Sequence, residues 1–219
     1  MNKLQKSLTV VGTTLAILGS LIHSVEASQT ISFKSTLVAL NSLKVADEDR
    51  TGYKRDNFKH WIGAGNGCDS RKAVIVSEAI VKPSVLPGCV LKGGEWLSIY
   101  DNVKVTDAGK LDVDHMVPLA EAWDSGAQAW DAKKREVYAN DQTDPRHLIA
   151  VTGGSNRSKS DRDPAEWVPT NTSYVCEYIA NWVAVKARWD LSVDSKEKSA
   201  IMSLNKKCKA IKITITKVA

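Results

Sequence analysis

The sequence lacks several features that would place it in common functional classes. None of its four cysteines belongs to a Cys-x-x-Cys pair, which argues against a structural zinc site. The glycines at 63, 65 and 67 are not followed by Gly-Lys-Ser/Thr, so this loop is not a Walker-type phosphate cradle. No internal repeat or low-complexity stretch is present, which argues against a repeat architecture.

A hydrophobic run long enough to span a membrane is also missing at the N-terminus. The apolar run from Leu8 to Ile22 is shorter than the roughly 20 residues that a spanning helix needs, and it contains Thr and Gly. Lysines precede this run, and Val25-Glu26-Ala27 follows it with small residues at −3 and −1. The pattern predicts a secretory signal peptide over residues 1–27, in preference to an uncleaved membrane anchor. After cleavage the protein would be secreted or periplasmic and would carry no anchor.

Cysteine is scarce but even in number. An even count behind a signal peptide predicts two disulfides formed in an oxidising compartment. Four cysteines allow three connectivities. We favour Cys68–Cys89 and Cys176–Cys208, because each of these bridges closes a local loop. Each would contribute about 2–4 kcal/mol, chiefly by restricting the unfolded chain.

Positive charge is in moderate excess and is unevenly distributed along the sequence. The 219 residues suit one domain once the leader is removed, and the net charge is +5. Such an excess is a weak argument for a nucleic-acid partner, since most charge runs are solvated faces. One group of cations lies near the candidate site residues Asp114, His115 and Asn156 and suits a phosphate backbone. Its members are Arg146, Arg157, Lys159 and Arg162. A second lysine cluster at the C-terminus is equally well explained by solubility.

The residues 111–117 alternate apolar and polar side chains, which predicts a short half-buried strand. Asp114 and His115 stand together near its end. A carboxylate can hold a hard divalent cation, and a neutral imidazole can take a proton from water near pH 7. A surface ion pair or a turn is the ordinary alternative for an isolated Asp-His pair. Because neighbouring strand residues point to opposite faces, both side chains reach one site only if the strand bends or ends here.

A second strand is predicted over 146–151, followed by a Gly153-Gly154 turn and a polar, basic helix for which Ser155 is a candidate N-cap. Asn156 and Lys159 lie three residues apart and hence on one face of that helix. Two strands and a helix would therefore bring together two oxygen ligands, one base and cations for phosphate.

These motifs together resemble the ββα-metal finger of the HNH (His-Me finger) endonucleases. Asp-Val-Asp-His-Met-Val-Pro-Leu-Ala-Glu-Ala-Trp and Asn-Arg-Ser-Lys-Ser-Asp-Arg-Asp-Pro-Ala-Glu-Trp-Val-Pro resemble in particular the secreted HNH nuclease family related to the DUF1524 group. The likeness runs from about Tyr53 to Cys208 and includes Tyr-Ala-Asn-Asp, Leu-Ile-Ala-Val and Gly-Cys-Asp-Ser-Arg. Several motifs in the same order are far more specific than any one of them.

The resemblance implies a metal-dependent endonuclease. Asp114 and Asn156 would hold Mg²⁺, for which Mn²⁺ can substitute, and His115 would be the general base. Arg157, Lys159 and Arg146 would contact phosphates; Arg71 would either reach the scissile phosphate or pair with a carboxylate. The substrate would be DNA, with RNA left open, and little sequence preference is expected. No obligate protein partner is indicated.

This sequence departs from the simplest HNH pattern at one position. The middle Asn, whose backbone carbonyl orients the base histidine in that motif, has no obvious occupant just before Leu148, where His147 stands. Asn140, from a nearby loop, is the other candidate for this supporting role. The rival function is a non-catalytic secreted nucleic-acid-binding module on the same scaffold, which would require none of Asp114, His115 and Asn156.

The expected fold is α+β, with a ββα-metal (HNH) core, flanking helices and a small antiparallel β-sheet. We expect a signal peptide at 1–27, an N-terminal helical segment at 28–51, an HNH endonuclease domain at 52–210 and a basic C-terminal tail at 211–219. Outside the finger, helices are predicted near 69–80, 131–139, 174–189 and 195–208, and a hairpin around Gly93-Gly94.

Overall fold

The computed structural model describes residues 29–218, so the expected signal peptide lies outside the described residues. The helices are α1 (Thr36–Ser42), α2 (Ser70–Glu78), α3 (Leu119–Asp124), α4 (Ala132–Ala139), α5 (Gly153–Lys159), α6 (Val175–Arg188) and α7 (Ser195–Asn205). The strands are β1 (Thr30–Phe33), β2 (Gly63–Gly65), β3 (Cys68–Asp69), β4 (Ser84–Leu86), β5 (Val90–Lys92), β6 (Trp96–Ser98), β7 (Val103–Val105), β8 (Leu111–His115), β9 (Leu148–Thr152) and β10 (Ile213–Thr216). Over the described range, no helix has both the length and the apolar character needed to cross a membrane.

The strands form separate two-stranded antiparallel ribbons, as the expected α+β class allows. The pairs are β1–β10, β2–β3, β4–β5, β6–β7 and β8–β9. The hairpin predicted at Gly93-Gly94 is wrong, because these glycines connect β5 to β6, which do not pair with each other. Gly94 has a φ of +100°, and a Cβ there would lie 2.4 Å from Cη2 of the Trp96 indole. The glycine pair therefore makes room for a buried tryptophan rather than a hairpin turn.

The ribbon β8–β9 lies between two apolar clusters. Leu148 and Ala150 of β9 belong to the smaller cluster, which α2 and Trp96 cover. Ile149 and Val151 belong to the larger cluster, built mainly on α6. Because strand residues alternate between faces, burying both faces makes residues 148–151 of β9 apolar without a break, which the sequence shows.

Helix α6 is the centre of the larger cluster. A stripe at helical spacing, made of Tyr178, Trp182, Val185 and, directly after the helix, Trp189, is fully buried. The stripe is therefore packing, as its helical spacing indicates.

Polar side chains cap the starts of α2 and α5. Asp69 caps α2, and its carboxylate accepts a hydrogen bond from the Lys72 amide at 2.7 Å. The prediction of Ser155 as a cap is wrong. Helix α5 begins at Gly153 and is capped by Thr152, whose hydroxyl accepts from the Ser155 amide. The glycine pair is thus the first turn of the helix and not a loop before it.

Two disulfides and a terminal ribbon tie the chain together. Cys68 is bonded to Cys89 and Cys176 to Cys208, the pairing favoured from the sequence. The residues expected to be a basic tail include β10, which pairs along its whole length with β1. The two chain ends of the described region therefore meet in one ribbon.

Candidate active site

A cavity of about 260 Å³ opens where β8 ends, and Asp114, His115 and Asn156 all line it. The other lining residues are Arg55, Val113, Pro118, Leu119, Arg157, Ser160 and Asp161. His115 lies on the same face of β8 as the buried Val113, and Asp114 lies on the opposite face. Since the strand stops at His115, the cavity at its end receives both side chains. The structure thus brings together the three residues expected to be catalytic.

Asp114 is held by a buried hydrogen-bond network. Its Oδ2 accepts from the Tyr100 hydroxyl at 2.6 Å and from the Lys159 ammonium at 2.7 Å, and its Oδ1 accepts from Lys159 at 3.0 Å. Burial raises the pKa of this carboxyl, while the Lys159 charge opposes the shift. Oδ1 carries one donor, which leaves it a lone pair for a further ligand at the cavity.

His115 is fixed in a single tautomer. Its Nε2 lies 2.9 Å from the carbonyl oxygen of Ala139. Because a carbonyl only accepts hydrogen bonds, Nε2 carries the proton and Nδ1 is the unprotonated nitrogen. Burial, followed by the nearby His147, lowers the pKa of His115 well below its usual range. The ring is therefore neutral at pH 7 and has a free nitrogen to accept a proton.

Two aromatic rings stack near the His115 imidazole. The Trp61 ring stacks against it at a centroid distance of 5.4 Å, and the Tyr138 ring is nearly parallel to it at 6.5 Å. These contacts restrict the ring to one plane. Trp61 has a φ of 59°, an unusual conformation for a bulky residue, at the point where its ring meets the imidazole.

Asn156 lies beside a second aspartate, Asp112. Its Nδ2 is 3.4 Å from Asp112 Oδ2, and among the described residues its amide oxygen has no hydrogen-bond donor. Asp112 is one-third exposed and lies on the same face of β8 as Asp114. The cavity therefore offers the Asn156 amide oxygen and the Asp114 carboxylate, and the Asp112 carboxylate lies next to Asn156 outside the cavity lining. Oxygens of these kinds are the hard donors that Mg²⁺ and Mn²⁺ prefer.

Three of the cations expected to bind phosphate are placed otherwise. Lys159 is fully buried, and its ammonium is used by Asp114 and the His115 carbonyl, so the prediction of a phosphate contact is corrected. Arg146 is paired with Asp144 at 2.5 Å and lies outside the cavity lining. Arg71 donates to the Leu111 carbonyl and lies 3.7 Å from Asp112, so carboxylate pairing is the alternative that holds. Each of these three charges is therefore paired or hydrogen-bonded within the protein.

Arg157 keeps the position expected of a phosphate contact. Its side chain is 75% exposed and lines the cavity, with Asp112 at 3.4 Å as its nearest carboxylate.

The His115 ring is supported by a backbone carbonyl next to Asn140, one of the two residues considered for this role. The carbonyl that accepts from His115 belongs to Ala139, directly before Asn140. The Asn140 side chain accepts from the Ile62 amide and the Ser70 hydroxyl, and donates to the Lys59 and Glu136 carbonyls. It thereby fixes both the turn that carries Ala139 and the segment that carries Trp61.

His147 is buried and supports the strand end instead of the cavity. Its Nε2 donates to the Tyr138 carbonyl at 2.7 Å, and its own carbonyl accepts from the Met116 amide. It therefore continues the β8–β9 pairing past His115.

Sequence reasoning missed several contributors to the site, among them Asp112, Arg55, Trp61, Tyr100 and the Ala139 carbonyl. Only Asp112 carried a local signal, since it precedes Asp114 by two residues and so shares its face of the strand. The others come from elements whose approach to β8 depends on the tertiary fold.

Comparison with known proteins gives two matches. The family model described as "GmrSD restriction endonucleases, C-terminal domain" matches residues 89–204. An "Uncharacterized secreted protein" of Arthroderma benhamiae is 42% identical over 157 residues, which are 72% of this chain and 76% of the relative. No solved structure matches. The matches confirm the resemblance to an HNH-type nuclease-related family and agree with the predicted export of the chain.

Proposed function

Because the chain belongs to the family of GmrSD restriction endonuclease C-terminal domains, we propose that it is a secreted, metal-dependent endonuclease of the HNH type. Its reaction is hydrolysis of phosphodiester bonds in DNA, with RNA as a second substrate to be tested. The observation that carries this proposal is the convergence of Asp114, His115 and Asn156 on one cavity, with His115 held neutral and its Nδ1 unprotonated.

His115 is the general base of the proposed reaction. The Ala139 carbonyl holds the Nε2 proton, so Nδ1 takes the proton from the attacking water. The water oxygen bonds to phosphorus, the bond from phosphorus to the 3′ oxygen breaks, and a solvent proton completes the leaving group. Stacking by Trp61 and Tyr138 keeps the nitrogen aimed along one direction, which lowers the entropy cost of reaching the transition state.

A Mg²⁺ or Mn²⁺ ion fits the donors at this cavity. Asp114 Oδ1 and the amide oxygen of Asn156 would hold it, and both atoms have capacity for a further ligand. A bound ion would supply Lewis-acid stabilisation of charge on the phosphate and the leaving oxygen. Lys159 holds the Asp114 carboxylate in place, so this lysine is a positioning residue in the proposal.

The local topology supports the HNH assignment. Two antiparallel strands, β8 and β9, are followed at once by α5, and the three proposed catalytic residues lie on β8 and α5. We interpret this unit as a ββα-metal motif. Arg157, exposed beside Asn156, is the proposed contact to a neighbouring phosphate, and backbone contacts of this kind give little sequence preference.

The test is plasmid cleavage by the purified mature protein. With Mg²⁺ the wild type should nick and then degrade supercoiled DNA, and excess EDTA should stop it. His115→Ala should lower the rate by about 10²–10⁴-fold, the usual contribution of a general base. Asn156→Ala should raise the Mg²⁺ concentration needed for activity. Asn205→Ala, on α7 and remote from the cavity, is the matched control and should cleave like wild type.

Two results would overturn the proposal. One is wild-type protein that leaves DNA and RNA intact with either metal. The other is His115→Ala protein as active as wild type. Binding of nucleic acid without cleavage by the wild type would support the non-catalytic module instead.

A further inference from the structure

Arg55 is a cation of the cavity that neither the sequence motifs nor the family match assigns. It lies in a short 3₁₀ helix, Arg55–Asn57, and lines the same cavity as Asp114, His115 and Asn156. The family model covers residues 89–204, so this helix lies N-terminal to the matched region.

The Arg55 guanidinium is uncommitted. Within the described residues it has no carboxylate within 4.0 Å and no side-chain hydrogen bond, whereas the other cations near the site are engaged. Those engaged cations are Arg50 with Asp124, Arg71 with Asp112, Lys159 with Asp114 and Arg157 with Asp112. Arg55 thus adds a positive charge that the protein does not neutralise. A charge of this kind in a polar cavity favours an anionic ligand.

The helix that carries Arg55 is firmly anchored. The Phe58 amide donates to the Arg55 carbonyl at 3.1 Å, and the Phe58 ring is completely buried against Trp123 and Tyr138. Arg135 donates to the Asn57 carbonyl at 3.1 Å. The backbone at Arg55 is therefore fixed relative to His115, which Tyr138 also contacts.

We propose that Arg55 is a catalytic residue that binds the non-bridging oxygens of the scissile phosphate in this cavity. This inference rests on the proposed endonuclease function. The planar guanidinium presents paired donors that match two phosphate oxygens, which lysine cannot do. The negative charge on these non-bridging oxygens changes as the water attacks, so their contact with the guanidinium strengthens in the transition state. Arg55 supplies charge and hydrogen-bond donors, and proton transfer is left to His115.

The experiment compares Arg55→Ala, Arg55→Lys and Lys54→Ala in the full mature chain. Lys54 is the adjacent exposed cation and does not line the cavity, so it is the matched control. With Mg²⁺ and plasmid DNA, Arg55→Ala should lower kcat by about 10²-fold, the typical loss of one transition-state donor. Arg55→Lys should recover part of that loss, and Lys54→Ala should stay within about twofold of wild type, as a surface change does.

A second measurement is independent of turnover. Binding of an eight-nucleotide thymidylate is followed by tryptophan fluorescence in EDTA, where no cleavage is expected. Arg55→Ala should weaken this binding by roughly tenfold, the cost of one charge-assisted hydrogen bond, and Lys54→Ala should weaken it much less. Thermal unfolding of each variant shows whether the fold is intact.

The outcomes separate this inference from the proposed function. An active wild type together with an Arg55→Ala variant of unchanged kcat overturns the role of Arg55 and leaves the endonuclease standing. Loss of binding with unchanged kcat also overturns the catalytic role, because the contact would then be equal in ground and transition states. An inactive wild type overturns both.

Discussion

Asp114 depends on a single buried lysine for its charge balance. Lys159 is completely buried and gives its ammonium to both Asp114 oxygens and to the His115 carbonyl. Removing the ammonium in Lys159→Met would leave a carboxylate buried without its counter-charge. Such a loss typically costs about 3–5 kcal/mol, so we expect a decrease of that order in the free energy of unfolding, measured by urea denaturation.

A double-mutant cycle distinguishes the ion pair from lost packing. Adding Asp114→Asn to Lys159→Met removes the stranded charge and should restore part of the stability. Lys206→Met, an exposed lysine beyond α7, should change stability by no more than about 0.5 kcal/mol. If the double variant is no more stable than Lys159→Met alone, the ion pair is not what holds Asp114.

At this scale, the sequence predicted the residues that lie close together along the chain. Asp114 and His115 are adjacent, and Asn156 follows the paired strand directly, so local patterns were enough to group them. The role of Lys159 could not be read in this way. Helical spacing put it on the face of Asn156, but only the fold shows that the Lys159 side chain turns inward onto Asp114 and Trp182.

The contact between α2 and β9 shows how an element outside the proposed ββα unit can make its stability depend on pH. Within residues 29–218, no strand pairs with the outer edge of β9, and side chains accept hydrogen bonds from its amides instead. Glu78, from the end of α2, accepts from the Ala150 amide at 2.7 Å, and Ser98 of β6 accepts from the Thr152 amide. Burial raises the pKa of Glu78 to about 7, against an ordinary value of 4.5.

The raised pKa of Glu78 predicts the direction in which the free energy of unfolding changes with pH. Between pH 4.5 and 7 the folded protein binds more protons at Glu78 than the unfolded chain does, so the free energy of unfolding falls as pH rises. The loss is complete above about pH 7 and amounts to roughly 3 kcal/mol at most. Glu78→Gln keeps an acceptor for Ala150 and removes the titration. Urea unfolding at pH 5 and pH 8 should show a smaller pH difference in the variant than in wild type, and an equal difference would refute the assignment.

The misplaced hairpin belongs to the same scale. Gly-Gly between β-rich segments is an ordinary turn signal, but here the turns are made by Pro87-Gly88-Cys89 and by the residues between β6 and β7. The need for Gly94 comes from the Trp96 indole packed over it, a contact within the tertiary fold. Turn propensity alone does not distinguish a glycine that forms a turn from one that makes room for a neighbour.

At the scale of the molecule, the two ends of the described chain form one structural unit. Ribbon β1–β10 packs on α6, and Ile213 and Ile215 are almost completely buried in the larger cluster. Arg146, expected at a phosphate, donates to the Thr214 carbonyl at 2.9 Å. The lysines around these isoleucines led to the prediction of a basic tail. The alternation of Ile213, Thr214, Ile215 and Thr216 is nevertheless that of a half-buried strand.

The C-terminal strand should therefore contribute to the stability of the whole protein, beyond any role of its charge. Ile215→Ala removes a buried side chain that the surrounding cluster cannot fully replace, and such changes cost about 2–5 kcal/mol. Lys212→Ala, exposed just before the strand, removes charge without removing packing and should stay within about 0.5 kcal/mol of wild type. Urea denaturation of both variants measures the difference. A stability loss for Lys212→Ala as large as that for Ile215→Ala would mean that charge, and not the packing of β10 on α6, makes the end of the chain important.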